Sequence, residues 1–198
     1  PSARFPLNRG RLPDFADVSP RSWYDLWVDL AYNLELMEGV GNNRFAPDKH
    51  LTVAEAVRLA ACMESRQRGD NFHQQSVSGT VWYRSSVEYC IASGILQQGE
   101  FTAYDRPVTR AEMAHIFAAT SLGRAIPEKN SLERVKASVP DVKAGDYAAD
   151  DIYALYAKGV LAGSDGKLTF RPGDTVTRAE AAGIAARMAR MEQRITLF

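Results

Sequence analysis

The sequence predicts an all-α fold in which three helical repeats close around a central three-helix bundle with pseudo-threefold symmetry. The first observation behind this prediction is a Thr-x-x-Glu pattern that begins at Thr52, Thr109 and Thr177. In such a capping box the Thr hydroxyl accepts a hydrogen bond from the backbone N–H three residues on, and the Glu carboxylate accepts one from the backbone N–H of the Thr. Each box therefore predicts the first turn of a helix.

The second observation is that the three predicted helices carry the same apolar stripe. Counted from the Thr, apolar residues recur at +4, +7 and +11, with Thr120 as the exception: Ala56, Leu59 and Met63; Met113 and Ile116; Ala181, Ile184 and Met188. One helix is too small to bury such a stripe alone, so the three helices are expected to pack against one another. The capping threonines are spaced more widely than the ~33 to 47 residues of tetratricopeptide, ankyrin and HEAT repeats, which argues against an open solenoid.

A further helix is predicted before each capped helix. It follows an aromatic residue and has apolar residues at helical spacing, namely Val28, Ala31 and Tyr32; Val87, Cys90 and Ile91; Ile152, Leu155 and Tyr156. In two repeats Gly94 and Gly159 stand at its end, where a residue in the left-handed backbone conformation stops a helix. Glu35 replaces this glycine in the first repeat, so we expect the first helix to continue into Leu36 and Met37.

Connectors rich in Gly, Asn, Asp and Pro join the two helices of each repeat. Each connector holds a Phe that we expect to be buried beneath the turn (Phe45, Phe101 and Phe170) and an aliphatic residue placed for a hydrophobic staple (Leu51, Val108 and Val176). The repeats, called copy 1, copy 2 and copy 3, are expected to span 15–66, 74–121 and 139–191. They form one predicted domain at 15–191, with an irregular lead-in at 1–14, polar linkers at 67–79 and 121–138, and a tail at 192–198.

Composition and motifs argue against several classes of function. Lys+Arg and Asp+Glu both number 24, so the formal net charge is zero and no basic surface for nucleic acid is indicated. No apolar run is long enough to cross a membrane and no signal peptide precedes the body, so we expect any export signal to be removed or to lie outside the sequence. The three histidines form no His-Glu-x-x-His pattern, and neither a Gly-rich phosphate loop nor a Gly-x-Ser-x-Gly motif occurs. The sequence thus predicts no catalytic residue, no metal site and no cofactor.

The two cysteines, Cys62 and Cys90, fall on predicted apolar helix faces. We expect both to be reduced thiols in the core, where an unpaired Cys behaves as a small hydrophobic residue. A disulfide is the alternative, and it would require their Cα atoms to lie about 5.5 Å apart.

The order of motifs within a copy resembles the S-layer homology (SLH) module. The shared pattern is Phe-x-Asp-Val, an aromatic residue six places after the Asp, a helix ending in Gly-Ile/Val-Leu, a turn with Phe-x-Pro, and then Thr-Arg-Ala-Glu. It covers about residues 15–191 and is strongest in copy 3, at VLAGSDGKLTFRPGDTVTRAEAA. Three modules in tandem resemble the cell-wall-anchoring unit of S-layer proteins and other surface proteins.

The resemblance implies a non-catalytic carbohydrate-binding anchor that is part of a larger surface protein, located outside the cell at the cell wall. Such domains bind a secondary cell-wall polysaccharide, often through a terminal N-acetylmannosamine that carries a pyruvate ketal, in grooves between neighbouring copies. The expected partner is therefore a pyruvylated cell-wall polysaccharide, with no nucleic acid and no membrane insertion. The alternative is a protein-interaction or structural module of surface-layer assembly that does not bind glycan.

The resemblance assigns ligand binding to the arginine of the Thr-Arg-Ala-Glu motif, which corresponds to Arg110 and Arg178. Chemistry favours the same residues, because an Arg at the first helical position is expected to point away from the bundle, beside free backbone N–H groups that attract anions. Its guanidinium could then bind a ketal carboxylate through two hydrogen bonds. A solvated surface arginine is the alternative. Val53 replaces this arginine in copy 1, so a groove that depends on it is expected to be weak or silent, which leaves at most two working grooves.

Aromatic, acidic and glycine residues complete the predicted binding site: Trp23, Trp82, Tyr147, Asp17, Asp141, Gly39 and Gly163. The aromatic rings can stack on sugars or close the core, and for Tyr147 the core is favoured. The two aspartates can accept hydrogen bonds from sugar hydroxyls or cap the helix that follows, and capping is favoured. The two glycines lack a side chain and could let a sugar approach the backbone.

Overall fold

A computed structural model describes residues 5–7 and 15–198, so most of the predicted lead-in at 1–14 lies outside the described residues. The described part is helical and contains eight α-helices and no multi-residue strand: α1 Asp25–Asn33, α2 Val53–Arg68, α3 Arg84–Ala92, α4 Arg110–Ala118, α5 Ser121–Ala125, α6 Leu132–Ser138, α7 Ala149–Ala157 and α8 Arg178–Ala189. The all-α prediction is confirmed. Within these residues, every helix is too short or too polar to cross a membrane.

The three capping boxes start α2, α4 and α8 as predicted. In α2, the Glu55 N–H donates to Thr52 Oγ1 at 3.2 Å and the Thr52 N–H donates to Glu55 Oε2 at 2.8 Å. The boxes of α4 and α8 have the same two hydrogen bonds. Each cap satisfies backbone groups that would otherwise lack a partner, which stabilises a helix by about 0.5–2 kcal/mol.

The end of α1 differs from the prediction that this helix continues into Leu36 and Met37. The helix ends at Asn33, because Glu35 adopts a left-handed φ of 54°, close to the 70° of the equivalent glycines in the other copies. A non-glycine residue pays about 1–2 kcal/mol for this conformation. The turn directs both Leu36 and Met37 into the core, where each is only 6% exposed.

The segments predicted as polar linkers contain helices that the sequence analysis missed. The second linker folds into α5 and α6, and the first contains a short 3-10 turn at Phe72–Gln74. Thr120, which interrupts the apolar stripe of α4, is the cap of α5 and accepts from the Gly123 N–H at 2.9 Å. Ser131 caps α6 in the same way. The polar residues Thr120 and Ser131 of this segment therefore cap helices and do not mark an irregular chain.

The first helix of each copy packs against the capped helix of the preceding copy. Helix α3 packs on α2, α7 packs on α4, and α1 returns to pack on α8, so the ends of the chain meet. The residues before the caps form a closed cycle of backbone hydrogen bonds: Leu51 N–H to Val176 O at 2.8 Å, Val108 N–H to Leu51 O at 2.9 Å, and Val176 N–H to Val108 O at 3.2 Å. The pseudo-threefold symmetry of a central three-helix bundle stays a prediction.

The core is built from the residues that the repeat pattern selects. Leu51, Val108 and Val176 are buried, and so are the connector residues Phe45, Phe101 and Phe170. Cys62 and Cys90 are free and buried, which confirms the expectation of core thiols. The predicted tail at 192–198 packs beside copy 3, where the Ile195 N–H donates to the Gly159 carbonyl at 2.8 Å.

Candidate functional site

A cavity of about 770 Å³ lies between copy 1 and copy 2, and we call it the first groove. Its walls are residues 35–40, one face of α2 and residues 73–77. Three predicted site residues from three different copies line it, namely Gly39, Trp82 and Arg178. The fold therefore brings part of the predicted site into one cavity of a size typical for ligand binding.

Arg178 does not point away from the helices as predicted, because its side chain is drawn into the junction between copy 3 and copy 1. The residue is 6% exposed. Its Nε donates to the Phe45 carbonyl at 2.9 Å, and its Nη2 donates to the Glu38 carbonyl at 2.7 Å. Nη1 lies 3.5 Å from Glu55 Oε1. Burial lowers the pKa of Arg178, and the charge of Glu55 partly offsets that effect.

Arg110 makes the equivalent contacts one copy earlier, so the expectation of an exposed guanidinium is wrong for both arginines. It is 7% exposed. Its Nε donates to the Phe170 carbonyl at 2.6 Å, and its Nη1 donates to Glu180 Oε1 at 3.1 Å. Both guanidinium groups also lie over the ring of the connector phenylalanine. Each arginine thus joins its helix to the connector and the capping-box glutamate of the next copy.

The missing arginine of copy 1 is compensated by a different residue. Val53 is buried, and Glu112 of the next copy binds Arg106 instead, with Arg106 Nη1 donating to Glu112 Oε2 at 2.9 Å. Burial raises the pKa of Glu112, but the hydrogen bonds from Arg106 and Thr109 outweigh it and lower the pKa overall. The capping-box glutamate of copy 2 therefore keeps a cationic partner, but Arg106 belongs to copy 2 itself, so this ion pair does not join copy 1 to copy 2.

Arg58 is a residue of the first groove that the sequence analysis missed. Its Nη2 donates to the carbonyls of Gln75 at 2.9 Å and of His73 at 3.3 Å, which fixes one wall of the cavity. Its Nη1 is buried without a hydrogen-bond partner. In the described part of the chain, no carboxylate lies within ion-pair distance of Arg58, whereas Glu35 in the same cavity is paired with Arg66 at 2.8 Å. Arg58 therefore lacks a carboxylate partner among the described residues, and its guanidinium lies over the Phe72 ring, 5.4 Å from the ring centre.

The comparison of the three copies contains a feature that could have indicated Arg58 as a groove residue. Six residues after the capping Thr, the three copies carry Arg58, His115 and Gly183, whereas the apolar stripe is largely the same in all three. A position that varies among otherwise similar helices indicates a difference between their surroundings.

The predicted aromatic residues lie at the surface rather than in the core. Trp23 is 62% exposed and Tyr147 is 55% exposed, so the core interpretation of Tyr147 is wrong. Trp82 is half-buried and lines the first groove. All three aromatic residues precede the first turn of a helix, and these helices begin at Asp25, Arg84 and Ala149. The aromatic rings therefore lie at the protein surface, beside the N-terminal ends of α1, α3 and α7.

The predicted aspartates bind connectors and do not cap helices. Asp17 accepts from the N–H groups of Phe45 and Ala46, both at 2.8 Å. Asp141 accepts from Phe170 at 2.8 Å and from Arg171 at 2.6 Å. Partial burial raises the pKa of Asp17, but the backbone hydrogen bonds outweigh it and hold the pKa below its usual value. To bind a sugar hydroxyl, either aspartate would have to use carboxylate oxygens that already accept hydrogen bonds from the connector backbone.

The two predicted glycines are required by packing. A Cβ atom on Gly39 would lie 2.7 Å from the Phe15 ring and 2.9 Å from the Arg44 carbonyl oxygen. Gly163 has a left-handed φ of 81°, and a Cβ there would lie 2.7 Å from the Leu168 carbonyl carbon. Gly39 also lines the first groove.

A cavity of about 500 Å³ lies between copy 2 and copy 3, and we call it the second groove. The predicted binding residues are absent from its described lining. His115 lies in it, with Nδ1 2.7 Å from Asp151 Oδ2 and Nε2 3.2 Å from Glu100 Oε1. The hydrogen bond with Asp151 is the main cause that raises the pKa of His115. The contact with Asp151 therefore joins copy 2 to copy 3 through His115. Across the described residues, no cluster of three or more His, Cys, Asp or Glu side chains is arranged to hold a metal ion.

Comparisons with known proteins match copy 1 and copy 3 to a domain model. The S-layer homology domain matches residues 14–57 and 140–182. A surface-layer 125 kDa protein of Lysinibacillus sphaericus is 26% identical over 176 residues, which are 84% of this chain and 15% of that protein. An amylopullulanase of Thermoanaerobacterium thermosulfurigenes is 36% identical over 108 residues, which are 54% of this chain and 5% of that enzyme. The chain therefore corresponds to a small part of each relative.

Proposed function

Because this chain belongs to the S-layer homology family, we propose that its first groove binds the pyruvylated terminal sugar of a secondary cell-wall polysaccharide. The family match and the surface-layer relative identify a cell-wall anchoring module with a cell-wall-associated location at the bacterial surface. Such modules are non-catalytic, and the similarity to an amylopullulanase extends over only 5% of that enzyme. The proposal concerns the ligand and the place where it binds.

The main support for the proposal is that Trp82, Arg58 and Arg178 line the same cavity of about 770 Å³. An indole ring offers a flat apolar face to the C–H groups of a pyranose and a polar edge to its hydroxyls. Guanidinium groups offer paired N–H donors that match a carboxylate. A sugar that carries a carboxylate needs both kinds of group side by side, so the lining supports an acidic sugar.

The two arginines each donate to two backbone carbonyls, but only Arg178 also lies near a carboxylate, with its Nη1 3.5 Å from Glu55 Oε1. A guanidinium has five N–H donors, and Arg178 uses two of them on the carbonyls of Phe45 and Glu38. Arg58 has a buried Nη1 without a partner and no paired carboxylate in the described part of the chain. Because no carboxylate of the described residues compensates the charge of Arg58, a carboxylate bound in the groove would supply a counter-charge. We expect Arg58 to be the stronger contact.

The test is calorimetric titration of wild type and Arg58→Ala with wall fragments that carry or lack pyruvate. Loss of one charge-assisted contact should weaken binding of the pyruvylated fragment by about 10- to 100-fold. Removal of pyruvate should have the same effect and leave little further effect of the substitution. The matched control is Arg84→Ala, which removes the same charge from an exposed site outside the groove lining.

Two results would contradict the proposal. The first is equal affinity of Arg58→Ala and wild type for the pyruvylated fragment, with both proteins folded by circular dichroism. The second is equal affinity of wild type for the pyruvylated and depyruvylated fragments. Either result would favour the protein-interaction module.

A further inference from the structure

A hydrogen-bond network behind one wall of the first groove holds the ring of His73. Ser65 of α2 is fully buried, and its Oγ contacts both this histidine and Asp70. Oγ accepts from the backbone N–H of His73 at 3.0 Å and lies 2.9 Å from its Nδ1. Tyr89 of copy 2 donates to Asp70 Oδ2 at 2.6 Å, and Arg58 donates to the His73 carbonyl at 3.3 Å. The turn that carries His73 is therefore held by α2 of copy 1 and by α3 of copy 2.

This network determines which nitrogen of the neutral imidazole carries the proton. Partial burial raises the pKa of Asp70, but hydrogen bonds, chiefly those from Ser65 and Tyr89, outweigh it and lower the pKa overall. The single hydroxyl hydrogen of Ser65 is therefore donated to the ionised carboxylate of Asp70, which is its strongest acceptor. His73 Nδ1 then faces a lone pair of Ser65 Oγ, so it has to carry the proton and donate. Nε2 is consequently the nitrogen without a proton.

The lone pair of His73 Nε2 is free. Within the described residues, no group forms a hydrogen bond or an ion pair with this atom, and His73 belongs to the lining of the first groove. Since the Nδ1 edge of the ring is turned to the buried Ser65, the Nε2 edge is the one available to the cavity. Burial lowers the pKa of His73, and the charge of Arg66 acts in the same direction, against the charges of Glu35 and Asp70. The ring is therefore mostly neutral at pH 7, and the groove offers a neutral hydrogen-bond acceptor in addition to its guanidinium donors.

We infer that His73 is a specificity-determining residue of the first groove, and that its Nε2 accepts a hydrogen bond from an O–H or N–H group of the bound sugar. A sugar carries several such donors, and the guanidinium groups of the groove cannot accept from them. Two carboxylates of the lining already have cationic partners, Glu35 with Arg66 and Glu55 with Arg178. The inference rests on the proposed function for the presence of a sugar, but it concerns a part of the sugar other than its acid group.

The tautomer can be measured without any glycan. A two-dimensional NMR spectrum that correlates the ring protons of His73 with both ring nitrogens, recorded on the intact chain near pH 8, distinguishes a protonated from an unprotonated nitrogen. The spectrum should show a protonated Nδ1 and an unprotonated Nε2. A neutral ring with its proton on Nε2 would overturn the inference, because this nitrogen could then not accept a hydrogen bond.

Two substitutions separate recognition of the sugar from a merely structural role of His73. The side-chain amide of His73→Asn reaches the position of Nδ1 and can still donate to Ser65, but it leaves no polar group at the position of Nε2. The longer amide of His73→Gln reaches the position of Nε2 and gives up the contact with Ser65. Calorimetric titration with the wall fragment should show about 3- to 10-fold weaker binding for His73→Asn, the effect of one neutral hydrogen bond, and near wild-type binding for His73→Gln.

Titration with pyruvylated and depyruvylated fragments distinguishes this inference from the proposed function. His73→Asn should weaken the binding of both fragments by the same factor, because its partner is not the acid group, whereas Arg58→Ala should weaken only the binding of the pyruvylated one. Equal affinity of His73→Asn and wild type, or a greater loss in His73→Gln than in His73→Asn, would overturn the inference and leave the proposed function intact. If wild type binds both fragments equally and His73→Asn binds them more weakly, the acid contact fails and the role of His73 is supported. If wild type binds neither fragment, both fail.

Discussion

Arg178 and Arg110 have nearly the same contacts but different surroundings. Each lies at the first position of a capped helix, donates to the carbonyl of a connector phenylalanine, and contacts the capping-box glutamate of the next copy. Only Arg178 of the two lines the first groove. The comparison teaches that this arginine has a structural role in both copies. Whether the arginine can also bind a ligand depends on whether an open cavity lies beside it. The burial of the arginine does not decide this, because Arg110 and Arg178 are equally buried.

The largest expected effect concerns stability. Arg110→Ala and Arg178→Ala each remove a buried guanidinium and leave a buried carbonyl without its donor, at a cost on the order of 3 kcal/mol. The cost should be similar for both, because the contacts are equivalent. Urea denaturation followed by circular dichroism measures it. A loss below about 0.5 kcal/mol, typical of surface substitutions, would show that the arginines do not stabilise the junctions.

A smaller expected effect concerns the pH dependence of stability, to which His73 of the first groove and His115 of the second groove contribute in opposite directions. The hydrogen bond with Asp151 raises the pKa of His115, so its contribution to stability is full below the unfolded pKa and is lost as the pH rises through the folded pKa. Burial lowers the pKa of His73, so its cost appears as the pH falls below the unfolded value. The two groups therefore act on opposite sides of the unfolded pKa near 6.5.

Urea midpoints of wild type, His115→Gln and His73→Gln between pH 5 and pH 9 measure this difference. His115→Gln should reduce the loss of stability towards high pH, and His73→Gln should reduce the loss towards low pH. Parallel profiles for all three proteins would show that neither histidine is coupled to folding in this range.

The features predicted correctly from the sequence depend on residues close together in the chain. The capping boxes at Thr52, Thr109 and Thr177 join groups three residues apart, so their hydrogen bonds follow from the local pattern. The burial of the apolar stripe and of the connector phenylalanines follows from helical periodicity and from the repetition of the pattern. Three copies of one signal make each assignment more certain than a single motif would.

The features predicted wrongly depend on partners far away in the sequence. Asp17 binds backbone groups at Phe45 and Ala46, and a spacing argument about the nearest helix could not identify them. Arg178 reaches the Phe45 carbonyl across 133 positions, and a single-helix argument directed it towards solvent instead. The contact of Trp27 with Gly183 is not predicted from the sequence, because only the packing of α1 on α8 brings the two residues together.

The most direct test of the first groove is the affinity of Arg178→Ala and Arg110→Ala for the pyruvylated wall fragment. Both variants lose the same charge and the same kind of junction contact, so destabilisation is matched between them. Calorimetric titration at a temperature where both are folded should show about 10- to 100-fold weaker binding for Arg178→Ala and near wild-type binding for Arg110→Ala. Equal affinities in the two variants, whether both weakened or both unchanged, would contradict the assignment of the acidic sugar to the first groove.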